Sequence, residues 1–102
     1  MVEQLPRKIK IGLKWYSVEV VEAMMDKGEM GKVIYPEQKI KIGAKSNITG
    51  RKYKEEEIRE TFWHELVHAI LVDMGEYALN KRENFVEEFA KRLSKAIKSA
   101  RF

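Results

Sequence analysis

The residues of this sequence best suited to chemistry are two histidines and a glutamate in the segment His64-Glu65-Leu66-Val67-His68. Four residues make about one helical turn, so in a helix both imidazoles project from one face and can bind a single metal ion. Glu65 lies beside them, where its carboxylate can take a proton from a metal-activated water molecule. This spacing of two nitrogen ligands and a carboxylate is typical of zinc-dependent hydrolysis of peptide bonds. The sequence therefore predicts Zn²⁺ as cofactor, His64 and His68 as ligands and Glu65 as general base.

The sequence around the motif strengthens this interpretation. Residues 62–74 are apolar almost all the way round a helix, which is typical of a buried helix. His64, Glu65 and His68 interrupt that apolar surface, and burying them without partners would cost on the order of several kcal/mol. A metal ion with its water molecule would satisfy all three groups. The alternative is that both histidines are neutral core residues that form hydrogen bonds with the backbone, while the Glu65 side chain reaches the surface.

The third protein ligand is predicted to be a carboxylate. A catalytic zinc ion has three protein ligands and one open position, and the chain contains no third histidine and no cysteine. The second helix offers Glu83, Glu87 and Glu88. Glu88 points away from the apolar stripe of that helix, whereas Glu83 lies near the edge of the stripe, facing the first helix. Glu87 is the alternative, because in a symmetric helical hairpin it would lie level with His68.

The elements that must position these residues give an α+β fold class. The predicted strands are 8–11, 16–20, 33–35 and Lys39–Gly43, and Gly12 makes a hairpin of the first two. A helix is predicted from about Tyr53 to Gly75, then a connection over 76–82. The spacing of Asn80-Lys81-Arg82-Glu83 resembles a capping box, so a second, antiparallel helix should start there and run to about Lys98. We therefore expect one domain, 1–102, with a small antiparallel or mixed N-terminal sheet followed by the two helices.

Composition limits the class of protein. Hydrophobic residues make up 44% and charged residues 35% of the chain, which indicates an ordered globular domain. The absence of cysteine excludes disulfides, thiolate zinc sites and a cysteine nucleophile. No run is long enough to span a bilayer and no N-terminal signal pattern is present, so a cytoplasmic location without a membrane partner is expected. The net charge of +4 is concentrated late in the chain, where a solvated helix face is expected rather than a nucleic-acid site.

The motif and the second helix resemble those of the gluzincins, in which the third zinc ligand is a glutamate on a later helix. Glu83-Asn84-Phe85-Val86-Glu87 matches their Glu-x-x-x-Asp/Glu pattern, whose second acidic residue orients a zinc-binding histidine. That role would fall to Glu87. With Glu87 as ligand instead, the next turn would offer Lys91, which cannot accept a hydrogen bond from a histidine. We therefore predict Glu83 as the ligand, with Glu87 as the alternative.

The resemblance extends over most of the chain. The glutamate helix also resembles that of the phage-associated ImmA/IrrE-type metallopeptidases, and the chain as a whole is most similar to the minigluzincins, small metallopeptidases of about this length. The similar segments are the Ile-x-Ile-Gly-x-x-Trp-Tyr-x-Val hairpin, the Ile40-Lys-Ile42 strand, the helix around the histidines and the glutamate helix. Only His-Glu-x-x-His among these is highly specific. The resemblance implies a zincin-like fold and a metallo-endopeptidase acting on peptides or proteins.

The resemblance also implies how substrate and inhibitor bind. Such enzymes bind peptides along an edge strand, and Lys39–Gly43 is the predicted edge. A donor to the developing oxyanion is needed, and Tyr77 is the candidate. Minigluzincins are made in a latent form with the C-terminal segment in the active site, which assigns residues 99–102 as an inhibitory tail. A frayed terminus is the alternative for that segment.

Two other classes of function fit parts of the sequence. A zinc-stabilised binding or regulatory module without catalysis would have four protein ligands and would tolerate replacement of Glu65. A basic nucleic-acid-binding domain with a coincidental motif would hold no metal, and its affinity would fall steeply with salt.

Overall fold

The computed structural model describes residues 5–102 and has an α+β architecture, as the sequence predicts. The strands are β1 (Lys8–Ile11), β2 (Lys14–Val21), β3 (Gly31–Ile34) and β4 (Lys39–Gly43). The helices are α1 (Glu55–Asp73), α2 (Tyr77–Asn80) and α3 (Glu83–Ser99). None of these helices is long and apolar enough to cross a membrane.

The four strands form one mixed sheet in the order β1-β2-β4-β3. β1 and β2 form the predicted antiparallel hairpin, in which Ile11 pairs with Lys14 and Gly12 adopts a φ of 62° in the turn. β4 runs parallel to β2 and antiparallel to β3. The prediction that Lys39–Gly43 is an edge strand is therefore wrong. Its Ile40 and Ile42 side chains are fully buried, and an interior position between two strands gives them that burial.

The active-site helix predicted from the sequence is α1, and it packs on the sheet. Its Ile58, Phe62, Leu66 and Ala69 join the isoleucines of β4 in the main hydrophobic core. A second, smaller cluster lies between α1 and α3 and is formed by Val67, Leu71, Val86 and Ala90. Trp63 packs against both clusters, so α1 is the element that both parts of the core share.

The end of α1 follows the sequence prediction. Gly75 has a φ of 76°, its N–H donates to the carbonyl of Val72, and the N–H of Glu76 donates to that of Leu71. These two bonds form a Schellman motif, which favours glycine because of the left-handed conformation.

The start of α3 differs from the sequence prediction. The N-cap is Arg82, not Asn80, and no side chain caps the helix. Asn80 instead ends α2, a four-residue helix within the predicted connection over 76–82. Its amide is directed toward α1, as described below.

Candidate metal centre

Three of the predicted site residues converge at the junction of α1 and α3. His64 and His68 lie one turn apart on α1, and Glu83 is the first residue of α3. The Nε2 atom of His68 lies 2.8 Å from Oε1 of Glu83, and that of His64 lies 3.3 Å from Oε2. One ligand atom from each residue lies within 4.8 Å of the others, so the group could hold a metal ion.

The donor set fits a small transition-metal ion. Zinc binds imidazole nitrogens and carboxylate oxygens at roughly 2.0–2.2 Å, so two ligands of one tetrahedral ion lie about 3.4 Å apart. The 3.3 Å between His64 and Glu83 agrees with that spacing, whereas the 2.8 Å between His68 and Glu83 is shorter than it. Two imidazoles and one carboxylate suit zinc better than magnesium or calcium, which prefer oxygen ligands.

The orientation of His68 is fixed from behind by Asn80. The Nδ1 atom of His68 lies 2.7 Å from Oδ1 of Asn80, and both side chains are partly buried. An amide oxygen accepts only, so this contact places the proton of a neutral imidazole on Nδ1 and leaves Nε2 free to bind a metal. A hydrogen bond of this kind is what metal-ligating histidines usually make with their second nitrogen.

Glu65 is the buried acidic group of the site. It is only 9% exposed, and no side chain in residues 5–102 donates a hydrogen bond to its carboxylate. Burial, and then the charges of Glu83 and Glu29, raise the pKa of Glu65 to about 7. A carboxylate with a pKa near neutrality suits proton transfer in both directions at physiological pH.

Two cavities meet at these residues. The larger, of about 410 Å³, and the smaller, of about 300 Å³, share a wall formed by Gly31, His64, Glu65 and Glu83. The larger extends along the first half of α1 and the facing part of α3, past Glu60, Ala90 and Lys91. The smaller extends along β3 to Tyr35. Open space therefore adjoins the group that could hold a metal.

The edge strand β3 passes directly over α1. A Cβ atom added at Gly31 would lie 2.6 Å from Cγ2 of Thr61 and 3.2 Å from Cγ of Glu65, so the close approach requires glycine. Four consecutive residues, 30–33, line one or both cavities. The edge strand beside the site is thus β3 and not β4.

Other predicted residues lie outside the metal group. Glu87 lines the larger cavity, is exposed and pairs with Lys91 at 3.5 Å, so Asn80 and not Glu87 contacts His68. Tyr77 is 61% exposed and lines neither of the two cavities. Phe102 is fully exposed, and residues 99–102 line neither cavity, so the inhibitory tail stays a hypothesis.

Three residues of the site were not found from the sequence. Asn80 was interpreted as a helix cap, because its spacing to Glu83 resembles a capping box. Gly31 has no role in the sequence prediction, which places Tyr35 at the end of a strand. The available signal for Gly31 was a glycine at the start of an apolar strand, which often marks close approach of another element.

Comparisons of the chain with protein-family models, with curated proteins and with solved structures found no match in any of the three.

Proposed function

We propose that this protein is a zinc-dependent metallo-endopeptidase. The observation that carries the proposal is the convergence of His64 Nε2, His68 Nε2 and the Glu83 carboxylate beside the buried Glu65. The motif predicts two ligands and a base from the sequence, and the third ligand comes from a different helix. If the motif were a coincidence, a carboxylate from another helix would not be expected to lie against the Nε2 atoms of both histidines.

The residues have separate roles in the proposed hydrolysis. His64, His68 and Glu83 would hold the ion, with His68 oriented by Asn80. When bound, the ion supplies Lewis acidity, which lowers the pKa of water and polarises a carbonyl group. Glu65 takes a proton from the attacking water and returns it to the leaving amine.

The position of β3 supports a peptide as the substrate. One side of its backbone has no strand partner in the described part of the sheet, so an extended peptide can pair with it. Both cavities adjoin the metal group, and they would receive the residues before and after the bond that is cut. This arrangement favours an endopeptidase over an enzyme that removes terminal residues.

The resemblance to the minigluzincins and to the zincin-like fold is part of the proposal. A mixed sheet, an active-site helix and a glutamate helix in this order agree with it. Inhibition by residues 99–102 is a further hypothesis, which predicts that removal of residues 100–102 raises activity.

The test combines zinc content with cleavage of an unfolded protein substrate, for the full chain and for a form lacking residues 100–102. We expect about one zinc per chain and measurable cleavage. Glu65→Gln should keep the zinc and lose cleavage by several orders of magnitude. Glu56→Gln, on the exposed face of the same helix, is the control. Cleavage that survives Glu65→Gln would favour a zinc-stabilised binding module or a contaminating peptidase.

A further inference from the structure

Tyr35 is a cavity residue to which the proposed hydrolysis has so far given no role. It follows the last residue of β3 and lines the smaller cavity together with His64, His68, Glu65 and Glu83. A phenol hydroxyl in this position shares a cavity with every group that the proposed reaction uses.

The hydroxyl group of Tyr35 stays protonated. The Tyr35 side chain is 36% exposed, and its partial burial, then the neighbouring Tyr16 and Glu65, raise the pKa of Tyr35 to about 12. Throughout the physiological pH range it is therefore an uncharged donor, and no side chain or backbone group of residues 5–102 accepts a hydrogen bond from it.

The other side-chain donors that line the cavities each have a partner within the protein. Lys32 binds Asp26 at 3.1 Å, and Lys91 binds Glu87 at 3.5 Å. The Thr61 hydroxyl donates to the backbone carbonyl of Glu57 at 2.9 Å. Apart from the histidines of the metal group, Tyr35 is thus the uncharged side-chain donor of the described cavity walls that has no protein partner.

We propose that Tyr35 is a further catalytic residue, whose hydroxyl donates a hydrogen bond to the oxygen of the scissile carbonyl as that oxygen becomes negative. This inference rests on the proposed function and replaces Tyr77, the candidate from the sequence. Fixed donors aimed at a developing oxyanion are among the largest contributions to catalysis of acyl transfer.

The proton balance of the step leaves Tyr35 unchanged. The water oxygen bonds to the carbonyl carbon, its proton passes to Glu65, and the carbonyl π electrons move to the oxygen that Tyr35 contacts. As the carbon–nitrogen bond breaks, those electrons re-form the carbonyl and the nitrogen takes the proton from Glu65. Tyr35 keeps its own proton throughout.

The experiment is steady-state cleavage of a fluorogenic peptide by the zinc-loaded full chain, wild type and Tyr35→Phe. Removing one oxyanion donor lowers kcat by about 10²–10³-fold. We expect that loss in kcat, with KM within about twofold, because the hydrogen bond strengthens only as charge develops. Zinc content and Tm should match those of the wild type. Tyr53→Phe, which removes a hydroxyl away from both cavities, is the control and should keep the wild-type kcat.

The kinetic results decide whether Tyr35 is the oxyanion donor. A wild-type kcat in Tyr35→Phe, or a loss confined to KM, would overturn it. A large loss of kcat in Tyr77→Phe instead would give the role to Tyr77. Absence of cleavage both by the zinc-loaded full chain and by the zinc-loaded form lacking residues 100–102 would refute the proposed function itself, and the role of Tyr35 with it.

Discussion

The position of Glu83, the proposed third ligand, depends on a buried residue of the same helix. Val86 is fully buried against α1, and this fixes the rotation of α3 about its axis. Glu83 and Glu87 lie about 60° and 100° from Val86 on the same side of α3, but Glu87 lies one turn further along the helix, where it pairs with Lys91. The hairpin argument for Glu87 assumed a symmetric connection. The short helix α2 makes the connection asymmetric and brings the start of α3 level with the histidines.

We expect zinc binding to depend on Glu83. Glu83→Ala and His68→Ala should each lose the bound zinc after dialysis, because each removes one of three protein ligands. Glu88→Ala, an exposed residue of the same helix paired with Arg92, is the control. Atomic absorption on tag-free protein measures the metal. Zinc that is lost in Glu87→Ala but kept in Glu83→Ala would move the ligand to Glu87.

Asn80 is expected to control zinc affinity without binding zinc. Asn80→Ala removes the acceptor for His68 Nδ1, and loss of such a partner typically weakens metal binding by about 10–100-fold. Asn80→Asp keeps an acceptor oxygen and should restore most of the affinity. Competition with a chromogenic chelator gives the Kd for each variant. Equal Kd values for wild type and Asn80→Ala would contradict the role, and Asn84→Ala controls for the loss of an exposed amide.

At the scale of elements, the start of α1 is held by a charge cluster beside the larger cavity. The Glu57 carboxylate accepts two bonds of 3.1 Å from Arg51 and one of 2.9 Å from the Lys54 N–H. The Arg51 side chain first, and then the Lys54 N–H, lower the pKa of Glu57 from 4.5 to about 2.

This cluster predicts a pH dependence of stability. A carboxyl group whose pKa is lower in the folded state stabilises the fold above the unfolded pKa of 4.5 and loses that contribution as the pH falls toward about 2. Glu57→Gln should therefore be less stable than wild type at pH 7, with the difference shrinking between pH 4.5 and 2. Urea unfolding across that range, with Glu56→Gln as control, measures it. A difference that is constant with pH would contradict the assignment.

The close contact of β3 with α1 predicts a coupled pair of substitutions. Gly31→Ala would place a methyl group 2.6 Å from Thr61 Cγ2, and overpacking of this kind costs roughly 1–3 kcal/mol. Thr61→Ser removes that methyl group and keeps the hydroxyl that donates to Glu57. In the Gly31→Ala background Thr61→Ser should therefore recover part of the lost stability. A double-mutant cycle measured by urea unfolding gives the coupling, and purely additive effects would contradict the contact.

The sequence predicts the elements better than their arrangement. Alternating apolar residues identify the strands. Gly12 marks the turn between β1 and β2, and Gly75 marks the end of α1, each through the left-handed conformation that it adopts. Strand order depends on which strands pair along their edges through backbone hydrogen bonds. The alternation of apolar residues within one strand carries no information about its neighbours, so the prediction of β4 as an edge strand is wrong. The same limit applies to the site. The spacing of His64 and His68 is local, whereas the contacts of Asn80 and Tyr35 depend on tertiary packing.

At the scale of the whole molecule, the metal group lies where two bodies of structure meet. α1 packs on the sheet through the main core, but α3 is held to α1 by a smaller cluster of four buried residues, Val67, Leu71, Val86 and Ala90. Both histidines belong to α1 and the carboxylate to α3. A bound ion would therefore link the N-terminal end of α3 to α1.

Zinc is accordingly expected to stabilise the whole fold. A ligand that binds only the folded state adds about 2.7 kcal/mol at 100 times its Kd, and for a chain of this size each kcal/mol raises the Tm by about 4–8 °C. Calorimetry at increasing zinc concentration should therefore show a rise of roughly 10–20 °C. Magnesium, which prefers oxygen ligands, should give little. His68→Ala should abolish the response to zinc, because it removes one of the three protein ligands. An equal rise in that variant would mean that zinc stabilises the protein from another site.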